Sequence, residues 1–285
     1  MIEIAEKEKT KEKKPGSPIE CSGVKMRCPD CRSGELDLRS VDGSVSCVKC
    51  GAAYRVNETI IDLLPEYKTK QYFWHDVVEW SFFVDVYESR WWRTGPYGSI
   101  FFGISFDNEF KLISEVHDFK GNESFLDIAC GPGIYSRPFA RQLNKGTVVG
   151  LDLSMPMLKY ASRKAQGIDN LFFIHGDAQD LPFFESTVDG ATCCGALHLF
   201  PDIPRTLRGV YRILKPGGCF TVATAKVPNM GPITRNLSHG YRKWGGVRSF
   251  VPEELKSLFE EAGFTDFMCH HAVRWWVIVS AVKPG

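Results

Sequence analysis

No stretch of this 285-residue chain approaches the roughly 18–20 consecutive apolar residues that a membrane-crossing helix needs. No helical span is therefore expected. An excess of charge of either sign is also missing. Lys plus Arg number 35 and Asp plus Glu 34, and a net charge of +1 gives no general pull toward nucleic acid or anionic lipid. Only a local basic patch remains as a route to either. The N-terminal MIEIAEKEKTKEKKPGSP lacks the apolar centre of a secretory signal, and its glutamates argue against a transit peptide. Residues 1–20 read as a solvated, disordered tail. The ten cysteines do not form a disulfide framework: four sit in two CxxC pairs, and several others fall inside strand-like runs. A reducing, cytoplasmic setting is the expectation. No internal repeat is visible.

Apolar residues make up 44% of the chain, enough for one large α/β core plus a small module. Four segments can be separated. Residues 1–20 are the tail, 24–65 hold all the metal-type spacing, 66–122 are aromatic-rich and read as a helical lid or linker, and 123–285 alternate strand-like with helix-like runs. That alternation argues for βα units on a largely parallel sheet. Strands are expected over 124–128, 147–152, 171–176, 188–193, 218–225, 266–273 and 275–283, and helices over 134–143, 155–166, 203–214 and 252–262. The last two strands follow each other with almost no linker, so they should pair antiparallel.

Cys28-Pro-Asp-Cys31 and Cys47-Val-Lys-Cys50 are separated by 15 residues, the spacing of a structural zinc site. Each CxxC turn presents two sulfurs from one knuckle, and four thiolates close a tetrahedron. A zinc held this way has no open position, so it is expected to be structural rather than catalytic. Gly34 and Gly51 follow the knuckles, and ELDLRS and SVSC flank Val-Asp-Gly as a hairpin. A redox pair or free thiols are the competing readings. The following Tyr54–Pro65 stretch resembles the tail of small zinc-ribbon proteins that activate tRNA and protein methyltransferases. Docking of substrate and plain structural support both remain open for this ribbon.

Phe125-Leu-Asp127-Ile-Ala-Cys-Gly131-Pro-Gly133 ends one expected strand and opens a helix. Glycines there allow close backbone approach to a ligand, and a helix N-terminus offers free N–H groups. The dinucleotide fingerprint GxGxxG needs glycine or alanine where Ser136 stands. Asp152 ends the next strand, where an acid binds ribose hydroxyls in either kind of nucleotide site.

The blocks that follow are more specific. LDIACGPG is succeeded by GLDLSMPML at 150–158, GDAQDLPF at 176–183, VDGATCCGALHLFPD at 188–202 and LRGVYRILKPGGCF at 207–220. Five blocks in this order closely resemble the class I S-adenosylmethionine-dependent methyltransferases, above all the methyltransferase type 11 subgroup of ubiquinone and menaquinone biosynthesis. The resemblance covers about residues 124–225. It implies an α/β fold with a seven-stranded Rossmann-like sheet, mostly parallel with the last strand antiparallel, behind the zinc ribbon. It also implies S-adenosylmethionine as cofactor. Gly131 and Gly133 then line its methionine portion, Asp127 orders the loop and reaches toward the amino group, and Asp152 holds the ribose hydroxyls. Leu153 and Met157 pack near the adenine, Asp177 faces the adenine amino group, and Ala178 adds backbone contacts. Cys194 and Gly195 lie beside the methyl group. Ala129 stands where many relatives carry glycine. Core packing for Met157 and a helix-cap role for Asp177 are the plainer alternatives.

His198, just after the fourth expected strand, is the candidate to contact or deprotonate the substrate; packing under its loop is the alternative. Tyr72, Trp74, Trp80, Tyr87, Trp91, Trp92, Tyr97, Phe101 and Phe102 crowd a short span that suits an apolar lid or simple helix packing. Arg235, Arg242, Lys243 and Arg248 follow the fifth strand and suit an acidic substrate or a solvated face. The preferred reading is methyl transfer to a small, largely apolar or aromatic molecule. An RNA methyltransferase is the alternative, since a ribbon fused to this domain is also similar to a bacterial ribosomal RNA guanine methyltransferase family whose metal set uses a histidine. A non-catalytic cofactor-binding partner protein is a third reading. Oligomeric state is not legible.

Overall fold

The computed structural model describes residues 23–41, 43–64, 95–227 and 248–285. In chain order the elements are β1 (Leu36–Val41), β2 (Ser44–Cys47), β3 (Ala53–Asn57), β4 (Ile60–Asp62), α1 (Pro96–Phe102), α2 (Phe106–His117), β5 (Ser124–Ile128), α3 (Ser136–Gln142), β6 (Thr147–Asp152), α4 (Met155–Lys164), β7 (Leu171–His175), β8 (Val188–Cys194), α5 (Ile203–Ile213), β9 (Leu214–Ala225), α6 (Pro252–Glu261), β10 (Thr265–Val273) and β11 (Trp276–Val282).

Helix ends follow local chemistry. The Ser105, Ser154 and Asp202 side chains accept backbone N–H groups at the starts of α2, α4 and α5. Pro252 and two glutamates open α6, and Gly263 at φ +99° ends it. α5 buries Ile203, Thr206, Leu207, Val210 and Ile213, a stripe at helical spacing.

β5, β6 and β7 are buried at every position, as strands covered on both faces must be. Successive side chains go to opposite sides. Leu126, Val149, Phe172, Ala191 and Val222 join one core with α5 and α6; Phe125, Val148, Phe173 and Cys194 join the other with α3 and α4. Each of these Leu, Val and Phe side chains contributes about 1.5–3 kcal/mol by leaving water.

The sheet runs β1-β2-β3-β4-β7-β6-β5-β8-β9-β11-β10. It has eleven strands rather than the seven expected from sequence, because β1–β4 continue it. β4 lies parallel to β7, pairing Ile60 with Phe173 and Asp62 with His175. As expected, β11 is antiparallel, to both β9 and β10. β9 begins at Leu214, earlier than predicted: its ladder to β8 pairs Val188 with Leu214, then Gly190 with Cys219, so Lys215–Gly218 bulge out. The N-terminal segment also packs on the loop after β7, where Arg27 donates its N–H to the Pro182 carbonyl at 2.9 Å and Arg32 meets Asp180 at 3.0 Å. No helix among the described residues is long and apolar enough to cross a membrane.

Candidate cofactor site and cysteine cluster

The four cysteine sulfurs lie within 4.8 Å of one another, with Cys28–Cys50 and Cys31–Cys47 each at 3.7 Å. A tetrahedron with metal–sulfur bonds of about 2.3 Å has edges of about 3.8 Å, so the donor set fits a zinc ion. Gly34 N–H donates to Cys31 Sγ at 3.2 Å, and Lys49 N–H to Cys47 Sγ at 3.4 Å. Backbone N–H groups of Ser33 and Gly34 stabilise the thiolate, and Cys31 is brought down to about 6. The Tyr54 hydroxyl supports Cys28 from behind at 3.1 Å. Gly34 has no room for a side chain: a Cβ there falls 2.3 Å from Cys47 Sγ.

The second site forms where β5, β6, β7 and β8 end. Ala129 and Gly131 both turn through the left-handed region at φ +53°. That region favours glycine, which fits the glycine that the family resemblance implies where this chain has Ala129. A Cβ on Gly131 meets nothing within 4 Å, so this backbone faces open space. Gly133 differs. Its Cβ falls 3.2 Å from Ala161 Cβ on α4 and 3.6 Å from Phe173, so this glycine is close-packed between helix and sheet.

Asp127 is buried and accepts the Ser136 hydroxyl at 2.5 Å, closing the loop onto the start of α3. Burial pushes its carboxyl up to about 7 against the pull of Ser136. Asp152 closes the loop from the other side, accepting Gly131 N–H at 2.7 Å and Ser154 N–H at 2.8 Å. Burial raises its pKa, opposed by those two N–H groups and by His175. Leu153 is half-buried next to it, and Met157 is buried under it on the capped first turn of α4. Asp177 accepts Gln179 N–H at 2.8 Å, a turn bond that leaves the carboxyl half-exposed, with Ala178 buried alongside. Cys194 is buried at the end of β8, with Gly195 at φ +86° donating to the Ala223 carbonyl. The structure thus gathers every candidate from Asp127 to Gly195 at one rim of the sheet, the carboxyl ends where open α/β folds hold ligands.

His198 lies in a short 3₁₀ turn after β8, its Nδ1 3.1 Å from the Thr224 hydroxyl. Burial lowers it to about 4. Its ring is neutral at ordinary pH, yet too weak a base to remove a proton efficiently. The paired histidines on edge strand β10 are engaged elsewhere, His270 with Ser280 at 2.7 Å and His271 with the Phe102 carbonyl at 3.1 Å. Tyr72, Trp74, Trp80, Tyr87, Trp91 and Trp92, and with them Arg235, Arg242 and Lys243, lie outside the described residues. Arg248 pairs with Glu254 at 2.6 Å.

Four residues went unnoticed in the sequence. Tyr135 donates its hydroxyl to buried Glu109 at 2.7 Å. His175, the last residue of β7, sits between Asp62 and Leu153. Its position directly before GDAQDLPF was the only available signal.

Comparison with known proteins places this geometry. Residues 125–218 match a family model described as a methyltransferase domain. The chain is 31% identical over 178 residues to demethylmenaquinone methyltransferase of Lactiplantibacillus plantarum, covering 54% of this chain and 75% of that one. It is 27% identical to an uncharacterized chloroplastic methyltransferase of Arabidopsis thaliana, and there the match covers 91% of this chain and 79% of the relative. The solved structure of Haemonchus contortus phosphoethanolamine N-methyltransferase 2 with S-adenosyl-L-methionine superposes with a TM-score of 0.54 at 16% identity, covering 70% of this chain and 59% of that one. That likeness shows the fold. With the sequence relatives added, the chain belongs to the class I S-adenosylmethionine-dependent methyltransferases.

Proposed function

We propose that this enzyme methylates a small, largely apolar or aromatic molecule, using the rim of β5–β8 for S-adenosylmethionine and a structural zinc in the cysteine cluster. Bound there, the cofactor supplies a methyl group on a sulfonium that needs no further activation, so alignment carries most of the chemistry. In this reading Asp152 accepts the ribose hydroxyls, Leu153 and Met157 flank the adenine, and Asp177 with Ala178 meets its edge. The open backbone at Ala129–Gly131 takes the methionine portion, Gly133 keeps that loop against α4, and Asp127 holds it closed. Cys194 and Gly195 border the methyl group.

The observation that carries the acceptor class is His198. A histidine lowered to about 4 offers a hydrogen bond but little basicity, and its half-buried neighbours Leu199 and Phe200 are apolar. Such a site suits an acceptor that is already nucleophilic and largely apolar. The named activity of the Lactiplantibacillus relative, a demethylmenaquinone methyltransferase, points the same way. The balanced charge weighs against RNA.

The test is transfer of labelled methyl groups into cell extract, fractionated into solvent-extractable molecules, RNA and protein. Label is expected in the solvent-extractable fraction. Label confined to RNA overturns the acceptor class. On the acceptor so found, His198→Ala is expected to slow transfer by about 5–10-fold, the loss of one hydrogen bond of about 1 kcal/mol; unchanged turnover removes His198 from the site.

A further inference from the structure

β4 joins the cysteine-bearing segment to the cofactor-binding half of the sheet through more than its ladder. Asp62, at its end, places Oδ1 2.7 Å from His175 Nδ1. The opposite nitrogen, Nε2, lies 3.0 Å from the Leu153 carbonyl. Leu153 sits between Asp152 and Ser154, the two residues locked together by the Ser154 N–H bond to the Asp152 carboxylate. The His175 side chain is only 8% exposed.

Both neighbours of the ring are acceptors. The bridge is complete only when both ring nitrogens carry hydrogen, which makes the ring a cation held on the Asp62 carboxylate. The surroundings agree. Burial pushes Asp62 up, but the hydrogen bond and charge attraction of His175, with the Leu64 N–H and Arg55, together outweigh it and keep the carboxyl below its ordinary range. The ion pairs that Arg27 and Arg32 make across to Asp180 meet it on the loop after β7, and Arg32 is exposed, so that pair adds little. The buried bridge joins the two parts through side chains right at the cofactor rim.

We propose that Asp62 and His175 are positioning residues for the ribose end of the cofactor site. The last strand of the ribbon segment fixes the Leu153 carbonyl and thereby orients the neighbouring Asp152 carboxylate. This rests on the reading of Asp152 as the ribose-binding acid. It gives the ribbon segment a part in cofactor affinity, in addition to any structural role.

The test uses the full-length, zinc-loaded protein. S-Adenosylhomocysteine and 5′-methylthioadenosine are titrated calorimetrically; the second keeps the ribose and lacks the amino-acid end. Asp62→Asn and His175→Gln should each weaken both ligands by about tenfold and by the same factor. Asp62→Glu should recover most of the loss. Thr59→Ala, which removes a hydroxyl contact between the same segment and Ser162, should bind as wild type. Nitrogen-15 spectra should show two N–H groups on His175 in the wild type and one in Asp62→Asn. Unchanged affinity in Asp62→Asn overturns the proposal. So does an equal loss in Thr59→Ala at the same fall in thermal midpoint, which marks general undocking. If Asp62→Asn fails to fold, His175→Gln carries the same two outcomes. Asp152→Asn separates the premises: normal binding overturns the ribose reading and the relay with it, whereas lost binding beside an intact Asp62→Asn overturns the relay alone.

Discussion

Gly34 and Gly51 both follow a CxxC knuckle, yet alanine at the two positions should act very differently. At Gly34 the added carbon falls 2.3 Å from Cys47 Sγ, 2.8 Å from Lys49 Cβ and 3.2 Å from Cys31 Sγ. Non-bonded heavy atoms rest at about 3.5–4 Å. The Cys47 sulfur must therefore retreat by more than about 1 Å, in a site whose metal–ligand distances tolerate about 0.2 Å. Structural zinc sites bind with about 10–16 kcal/mol. Losing one of four thiolates removes roughly a quarter of that, about 3 kcal/mol, or about 100-fold in affinity. At Gly51 nothing lies within 4 Å, and the only penalty is an alanine at φ +73°, about 1–2 kcal/mol of backbone strain with no ligand displaced. Zinc competition against a chromogenic chelator reads both variants. Gly34→Ala is expected to release zinc at about 100-fold lower chelator strength, and Gly51→Ala to stay within a few-fold of wild type. Gly34→Ala holding zinc with wild-type affinity refutes the packing argument.

Two further outcomes concern the loop after β5. The Asp127 carboxyl is raised to about 7, so the folded chain keeps an extra proton between about pH 4 and 7. The stability it lends is complete at the acid end and is lost as pH rises through 7. Urea melts of wild type and Asp127→Asn should therefore diverge by about 4 kcal/mol between pH 4 and pH 8, in favour of the asparagine at high pH; a constant difference contradicts a raised carboxyl. Ala129→Gly relieves about 1–2 kcal/mol of left-handed strain against about 0.5–1 kcal/mol of added unfolded-chain entropy. Its thermal midpoint should rise by about 2 °C, and a clear fall contradicts the strain argument.

How far the chain is legible from sequence depends on how local the cause is. β5 and β6 were expected at the bounds they occupy, because short runs buried on both faces, closed by a glycine-rich loop or a helix cap, mark themselves. The four cysteines announced their convergence by spacing alone. β4 escaped notice because three residues carry no periodicity, and its partner β7 is more than a hundred positions away; with it went the true width of the sheet. β9 was started late because Lys-Pro-Gly-Gly reads as a turn, although the ladder resumes across it as a bulge. Asp127, Gly131 and Asp152, named from motif spacing, lie together where β5 and β6 end. The Gly131 N–H bond to Asp152 and the Asp62–His175 bridge arise from tertiary contact, to which a single sequence gives no pairing signal. Gly133 carries a constraint that motif position did not show, its close packing against Ala161.

The central claim is a nucleoside site at the ends of β5 and β6, and calorimetric titration of the purified chain with S-adenosylhomocysteine addresses it most directly. Binding at one site per chain is expected, abolished by Gly131→Val, whose side chain fills the open cradle. No heat of binding in the wild-type protein, or full affinity in Gly131→Val, contradicts the account.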